Sequence, residues 1–278
     1  MSPEVNTSKF VKANDITLHY NEIGDPAGEP VVWIHGGGPG ATALSNFSRN
    51  MAGMSKYRNL LFDMPQYGQS DKPVIKDPRL AFNASHVISA LDNLGVEKAH
   101  FVGNSMGGGT SAKVAMEAPE KVDRLVLMGA AGVFPEGMEM PKGIGLLMSY
   151  FQPGGASPEK MGELIRTFVY DSSVLTEELI QSRYEASIDP EILAAREASE
   201  AMALEDITEG LGRIQSKTLL LWGRDDLFVP LESGLTYERE IPDARLFVVP
   251  NCGHWVQWEH VDLFNSLVEQ FLVGELDG

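Results

Sequence analysis

The stretch Ala99-His100-Phe101-Val102-Gly103-Asn104-Ser105-Met106-Gly107-Gly108-Gly109 constrains this chain more than any other. A short apolar, β-type run ends at Val102, a Gly-x-Ser-x-Gly pentapeptide follows, and Thr110 to Met116 suits a helix. A serine set between strand and helix in this pattern is expected at a nucleophile elbow. The turn holds the serine in a strained backbone conformation, so its flanks must lack bulk, and Gly103 and Gly107 meet that need. At a helix N-terminus the neighbouring amides also stabilise negative charge. Alone, the pentapeptide equally describes a plain glycine-rich turn. The rest of the chain decides between the two.

Strand-length runs recur on both sides of that turn. Lys9 to Ala13 and Ile16 to Asn21 suggest an opening hairpin joined at Asn14-Asp15. Val31 to Ile34 is a short, fully apolar strand of the kind buried in a parallel sheet. Further strands are read at Asn59 to Phe62, Arg124 to Met128, Thr218 to Trp222 and Arg245 to Val249. Helices are read at Ser45 to Ser55, Arg79 to Leu94 with its stop at Gly95, near Glu232 to Glu240, and at His260 to Val273. Such alternation implies an α/β fold with a mostly parallel sheet covered on both faces. From Phe134 to about Leu204 strands vanish, and helical segments take over at Gly145 to Phe151, Pro158 to Tyr170, Thr176 to Ser187 and Pro190 to Met202. This reads as a helical lid inserted between two core strands: core over 1–133, lid over 134–204, core again over 205–278.

A chain of 278 residues can bury a substantial core. Its 22 basic and 39 acidic residues leave a net charge of −17, which repels nucleic acid and anionic lipid and argues against both as partners. An anionic substrate then needs a local cation. Cys252 is the only cysteine, so no disulfide framework or zinc-type cluster is available. Met1 to Phe10 lacks the apolar stretch of a signal peptide, and no run is long enough to cross a bilayer; the expectation is a cytoplasmic protein without a membrane partner.

In a parallel sheet, functional groups collect on loops after the carboxyl ends of strands. Each conspicuous polar cluster falls at such a place: Gly36 to Gly40, Ser105, Gly223-Arg224-Asp225-Asp226, and Asn251-Cys252-Gly253-His254-Trp255. Serine, acid and histidine therefore succeed one another in an order used by hydrolytic triads. His254 would take the proton of Ser105, while an aspartate fixes the imidazole tautomer and stabilises the imidazolium. Asp225 and Asp226 are rivals for that place, and periodicity does not separate them. His19, His86, His100 and His260 lie on strands or helices, where a solvated or core histidine is commoner. His35 opens the glycine loop and reads as structural, holding it by a hydrogen bond. An oxyanion needs two preset donors. The amide of Met106 is one, and an amide within Gly36-Gly37-Gly38 is the other. That loop lacks the spacing and lysine of a phosphate loop.

These residues resemble the α/β-hydrolase family and, more narrowly, the meta-cleavage product hydrolases, which cleave carbon–carbon bonds in 2-hydroxy-6-oxo-hexa-2,4-dienoates. The likeness covers nearly the whole chain. It rests on His35-Gly36-Gly37-Gly38-Pro39-Gly40-Ala41, Ser45-Asn46, Gly103-Asn104-Ser105-Met106-Gly107-Gly108, Trp222-Gly223-Arg224-Asp225-Asp226 and Gly253-His254-Trp255-Val256-Gln257-Trp258-Glu259-His260. The serine pentapeptide is generic to hydrolases; Ser45-Asn46, Asn104 and His254-Trp255 together with a lid arginine are much more specific. The resemblance implies an α/β-hydrolase fold with an eight-stranded sheet and a lid, and a triad of Ser105, Asp226 and His254. It implies oxyanion amides from Gly37 and Met106, and a grip on the dienoate carboxylate and its neighbouring oxygen by Asn46, Asn104, Arg183 and Trp255. Gly36, Gly38 and Phe228 are expected beside the substrate, no metal or organic cofactor is required, and a homo-oligomer, dimer or higher, is expected. Read without the family, Arg183 is a surface arginine paired with Glu185, and Phe228 is wall or core equally. A bidentate guanidinium does suit a carboxylate.

In the lid, Leu146, Leu147, Met148, Phe151 and Phe168 either line a pocket for a hydrophobic substituent or pack the lid itself. Similarity to the aryl-substrate branch implies a phenyl-type group on the sixth carbon, as in biphenyl or dibenzofuran catabolism. The rival readings are a carboxylesterase with the same triad, a dienoate hydrolase for alkyl substituents, and a receptor that kept the fold without turnover.

Overall fold

The computed structural model describes residues 7–152, 154–199 and 205–277. Eight strands form one sheet: β1 (Ser8–Ala13), β2 (Ile16–Gly24), β3 (Pro30–Ile34), β4 (Arg58–Phe62), β5 (Ala99–Asn104), β6 (Val122–Met128), β7 (Lys217–Gly223) and β8 (Ala244–Val249). Their spatial order is β1-β2-β4-β3-β5-β6-β7-β8. β2 is antiparallel to both β1 and β4, and all pairings from β4 across to β8 are parallel. Successive side chains on a strand point to opposite faces. Val32, Ile34, Phe101, Leu220 and Trp222 accordingly enter one core, and Val31, Trp33, Val102, Leu219 and Leu221 enter the other. The helices α1 (Ala43–Phe47), α2 (Arg79–Asn93) and α3 (Met106–Glu117) belong to the first half of the chain. α2 and α3 bury their apolar faces in the first core and α1 in the second.

Between β6 and β7 runs the lid, with α4 (Lys142–Ser149), α5 (Pro158–Thr167), α6 (Glu177–Ser187) and α7 (Pro190–Ala198). Side chains of Ser157, Thr176 and Asp189 cap α5, α6 and α7 by accepting from N–H groups of their first turns. The expected run of α7 to Met202, the lid boundary at Leu204, and the outer limits Met1 and Gly278 lie outside the described residues. α8 (Leu231–Glu240), α9 (Val256–Glu259) and α10 (Val261–Leu272) complete the chain.

Two helices are shorter than their spacing predicts, for tertiary reasons. Ser45 to Ser55 yields only α1 and a single 3₁₀ turn, Ser48–Asn50, where the Asn50 side-chain Nδ2 donates to Gln257 O and Asn265 Oδ1 and ties this segment to the end of the chain. α5 stops at Thr167 rather than Tyr170. There the Phe168 carbonyl accepts from the His254 N–H, and the N–H groups of Tyr170 and Asp171 turn to the Glu259 carboxylate. These contacts replace another helical turn.

Behind the glycine loop, β4 leads into Asp63, which is buried with His19. One Asp63 oxygen accepts from His19 Nδ1 at 2.8 Å and the other from the Ala43 N–H at 2.9 Å. Burial pushes this carboxyl up, but the His19 hydrogen bond, with the Ala43 amide behind it, outweighs burial and holds it below its ordinary value of 3.8. The depressed value means that this stabilisation is full above the ordinary value and is lost as pH falls through the folded one. Asp63→Asn is expected to cost about 2–3 kcal/mol at neutral pH, the upper range for hydrogen bonds made to a charged group. Thermal melts from pH 7 downward should show the gap to wild type closing as the wild-type carboxyl takes up its proton. A gap that widens in acid contradicts the assignment.

Candidate active site

β5 carries the chain into Ser105 at φ +55°, a left-handed value that few non-glycine residues adopt. The turn is pinned on both sides. Its N–H donates to Met128 O at 2.9 Å, and its carbonyl accepts from Gly109 N and Ala131 N at 3.0 Å. A Cβ on Gly103 would stand 2.4 Å from Gly107 O, and one on Gly107 would stand 2.0 Å from Ile34 O. Strand and helix therefore meet through bare backbone, and these contacts hold a strain of about 1–3 kcal/mol at the serine. Met106 is the first residue of α3, so its N–H belongs to the turn that has no intrahelical acceptor.

His254 follows β8 on the adjoining loop and is 1% exposed. Its Nδ1 lies 2.7 Å from Asp226 Oδ2. The other Asp226 oxygen accepts from the N–H groups of Phe228 (2.7 Å) and Val229 (3.0 Å), which fixes the carboxylate's orientation. Sequence spacing does not separate Asp225 from Asp226; here the Asp226 side chain is 1% exposed against the imidazole, while that of Asp225 is 35% exposed beside Arg224. His254 Nε2 is buried and has no hydrogen-bond partner among the described residues. The ring lines the same cavity as Ser105, so a free proton acceptor and a hydroxyl share one enclosed space.

The glycine loop forms the opposite wall. A Cβ on Gly36 would stand 3.3 Å from Ser105 Cβ, and one on Gly37 would stand 3.3 Å from Met106 Cβ, so this backbone passes directly over the start of α3. His35 holds the loop from behind. Its Nε2 accepts from the Met64 N–H at 3.0 Å, which leaves Nδ1 to donate to Gly36 O at 2.7 Å. Burial pushes the His35 pKa down, in keeping with a neutral structural ring.

Arg183 is not at the surface. It is 2% exposed, and among the described residues it has no carboxylate partner; Glu185 instead accepts from Gln181. Its Nε donates to Pro39 O at 2.9 Å, its Nη1 is buried with no partner, and its guanidinium lies 5.8 Å from the Trp255 ring centre. Burial pushes its pKa down to about 10, so it stays cationic at neutral pH. Gly38 stands against it, since a Cβ there would be 2.8 Å from Nη2. Asn46 accepts from the Gly36 N–H at 3.3 Å, and Asn104 donates to Met128 O at 3.2 Å while its Oδ1 has no partner. Both line the cavity with Trp255.

Phe228 is not among the lining residues of this cavity; its ring stacks on Phe168 at 4.0 Å and lies 5.1 Å from the His254 ring, with Gly143 leaving room for it beneath α4. Phe168 is the ring that reaches the cavity, with Leu147, Ile144 and Ala131. Ile144 and Ala131 escape the sequence reading, since a helix face and a strand-end loop carry no mark of which ligand they border. Leu146 stays outside the lining, Met148 is 63% exposed, and Phe151 lines a separate cavity under α7. The cavity at Ser105 is about 90 Å³, closed down around its polar groups.

A second array has the same three side chains. Ser8 Oγ lies 2.8 Å from His19 Nε2, and His19 Nδ1 lies 2.8 Å from Asp63. Ser8, however, sits in regular pairing on β1 opposite Asn21, with no strained turn or helix start to place amides around its hydroxyl. It is a structural tie.

Residues 29–261 match a family model described as alpha/beta hydrolase fold. The chain is 44% identical to a 2-hydroxy-6-oxo-6-phenylhexa-2,4-dienoate hydrolase of Comamonas testosteroni, over 97% of each chain. It is 42% identical, again over 97% of each, to a 2-hydroxy-6-oxononadienedioate/2-hydroxy-6-oxononatrienedioate hydrolase of the same organism. Among solved structures, a serine-to-alanine mutant of the meta-cleavage product hydrolase CumD from Pseudomonas fluorescens IP01, complexed with acetates, is similar at a TM-score of 0.86 and 36% identity. That alignment covers 96% of this chain and 98% of that one.

Proposed function

This chain belongs to the alpha/beta hydrolase fold family, and from that premise we propose that it is a serine hydrolase cleaving the carbon–carbon bond of 2-hydroxy-6-oxo-6-aryl-hexa-2,4-dienoates. The products are 2-hydroxypenta-2,4-dienoate and an aryl carboxylic acid. One observation carries the reading: Arg183, a buried cation without a counter-ion among the described residues, lines the same cavity as Ser105 and His254. A simple esterase has no use for it, whereas a dienoate carboxylate supplies the missing partner.

In this reading Arg183, Asn46, Asn104 and Trp255 grip the carboxylate and the 2-oxygen and favour the ketonised substrate, in which C5 has gained a proton. Ser105 attacks the C6 carbonyl as His254 Nε2 takes its proton, with Asp226 stabilising the imidazolium. The amides of Gly37 and Met106 stabilise the oxyanion. The C5–C6 bond then breaks, its electron pair delocalises into the 2-oxo-3-ene system, and the 2-oxygen takes up the proton held on His254, which gives the hydroxydienoate and returns the imidazole to its neutral form. Water, deprotonated by His254, hydrolyses the remaining acyl-enzyme. The division into core (1–133 and 205–278) and lid (134–204) is part of the proposal, with the lid providing both Arg183 and the apolar wall. So is a homo-oligomer; the outer edge of β8, where Phe247 is 39% exposed, supports a contact between copies.

The apolar part of the lining favours an uncharged substituent. Ala131, Ile144, Leu147 and Phe168 are apolar, and Arg183 is the only arginine or lysine among the cavity's lining residues. The nonadienedioate substrates named for a relative carry a second carboxylate, whose burial without a partner is costly. The expected kcat/KM for the 6-phenyl dienoate exceeds that for the nonadienedioate by at least about tenfold, or 1.4 kcal/mol. Following loss of the dienoate chromophore for both substrates checks this. A preference for the dicarboxylate would reject the aryl assignment and leave the rest intact.

A further inference from the structure

We infer that Glu259 is a positioning residue for His254, holding the histidine loop to the middle of the lid; this rests on reading His254 as the base. One carboxylate oxygen, Oε1, accepts from the N–H of Gly253, the residue before the histidine, at 2.7 Å, and lies 3.5 Å from Cys252 Sγ. The other, Oε2, accepts from the lid N–H groups of Tyr170 (2.7 Å) and Asp171 (3.0 Å). His254 itself closes the seam, its N–H donating to Phe168 O at 2.7 Å. There is no slack between the two segments: a Cβ on Gly253 would stand 2.7 Å from Phe168 O. On the cavity side of this seam the Phe168 ring stacks on Trp255 at 4.5 Å and on His254 at 5.6 Å.

The Asp226 carboxylate is oriented by the turn after β7, which meets the histidine loop through the Asp225 N–H on Cys252 O at 2.9 Å, and Ser105 is held by β5, β6 and α3. A shift of residues 253–254 therefore separates Nδ1 from Asp226 and moves Nε2 relative to Ser105, while Arg183, the charged member of the substrate grip, stays where it is. Arg183 has its own tether, Pro39 O at 2.9 Å. Only a carboxylate serves both sides of the seam. A carboxamide has one acceptor oxygen, so glutamine must turn an NH₂ group against either Gly253 N–H or the two lid N–H groups.

The test compares Glu259→Gln with wild type on the 6-phenyl dienoate and on a neutral aryl ester, which needs the triad but no carboxylate grip. The expected result is a fall in kcat of about 10- to 100-fold on both substrates, the range for losing an orienting partner or about 1 Å of alignment. KM for the dienoate, set chiefly by Arg183, is expected to change less than kcat, and Glu259→Asp, which keeps the charge on a shorter stem, should recover part of kcat. Should the glutamine variant not fold, the aspartate variant carries the same comparison, with a smaller loss that again falls chiefly on kcat. A folded variant with wild-type kcat and only a lowered Tm, or a loss confined to KM, overturns the assignment. Wild-type protein inert towards both substrates, or a Ser105→Ala variant that still turns them over, overturns the triad reading instead.

Discussion

Ser105→Ala is expected to lower kcat for the 6-phenyl dienoate by at least about 10⁴-fold, the scale seen when a triad nucleophile is removed. The backbone has no reason to change, because the turn is held by Met128 O, Gly109 N, Ala131 N and the contact between Gly103 and Gly107. Nor does the grip change, since Arg183, Asn46 and Trp255 stand on other elements and Asn104, at the end of β5, keeps its own bond to Met128 O. The variant should therefore bind the dienoate with near wild-type affinity and fail to consume it. Single-turnover decay of the chromophore measures the first quantity, and a binding titration under the same conditions measures the second. The magnitude carries mechanistic content. A residual rate within about a hundredfold of wild type, or about 2.7 kcal/mol, would mean that water attacks the ketone directly under His254, with no acyl-enzyme. Loss of binding would mean that Ser105 is part of the grip rather than the nucleophile.

What could be read from the sequence, and what could not, divides along the range of the interactions. The elbow is legible because its demands are local: a serine at φ +55° with backbone touching backbone on either side admits glycine at Gly103 and Gly107 and little else. The parallel strands are legible because burial on both faces removes polar alternation. Asp226 is not separable from Asp225 by such means, since the choice is made by a turn in which Phe228 and Val229 donate to one oxygen and leave the other for the imidazole. Arg183 reads as a surface residue until Pro39, distant in sequence, is seen to accept from its Nε. Phe168 and Phe228 are equivalent as letters, and only tertiary packing puts the first in the cavity lining and the second against Phe168 and His254. The early end of α5 and the Ser8–His19–Asp63 array have the same origin. Both depend on groups brought together by the sheet, which no helical or strand period records.

Arg183→Gln is expected to reduce kcat/KM for the dienoate by about 10²- to 10³-fold while leaving a neutral aryl ester nearly unaffected. Removing one member of a desolvated charge pair costs about 2–5 kcal/mol, much of it for the charge left without a partner. The site meets those terms. The guanidinium is 2% exposed, its Nε is already committed to Pro39 O, and Nη1 has no partner among the described residues. A carboxylate arriving there gains a charge-assisted, forked contact with a guanidinium already shielded from bulk solvent. Arg183→Lys separates charge from shape: a lysine restores the attraction but not the fork, so it should recover part of the loss. The pH dependence has a definite sign. Burial lowers the guanidinium to about 10, so KM for the dienoate should stay flat with respect to this group near neutrality and rise as pH climbs through that value. The ester has no carboxylate to lose and should show no such rise. Equal losses on dienoate and ester in the glutamine variant would return the chain to the carboxylesterase reading, because the buried cation would then be serving only the Pro39 loop beside the catalytic cavity.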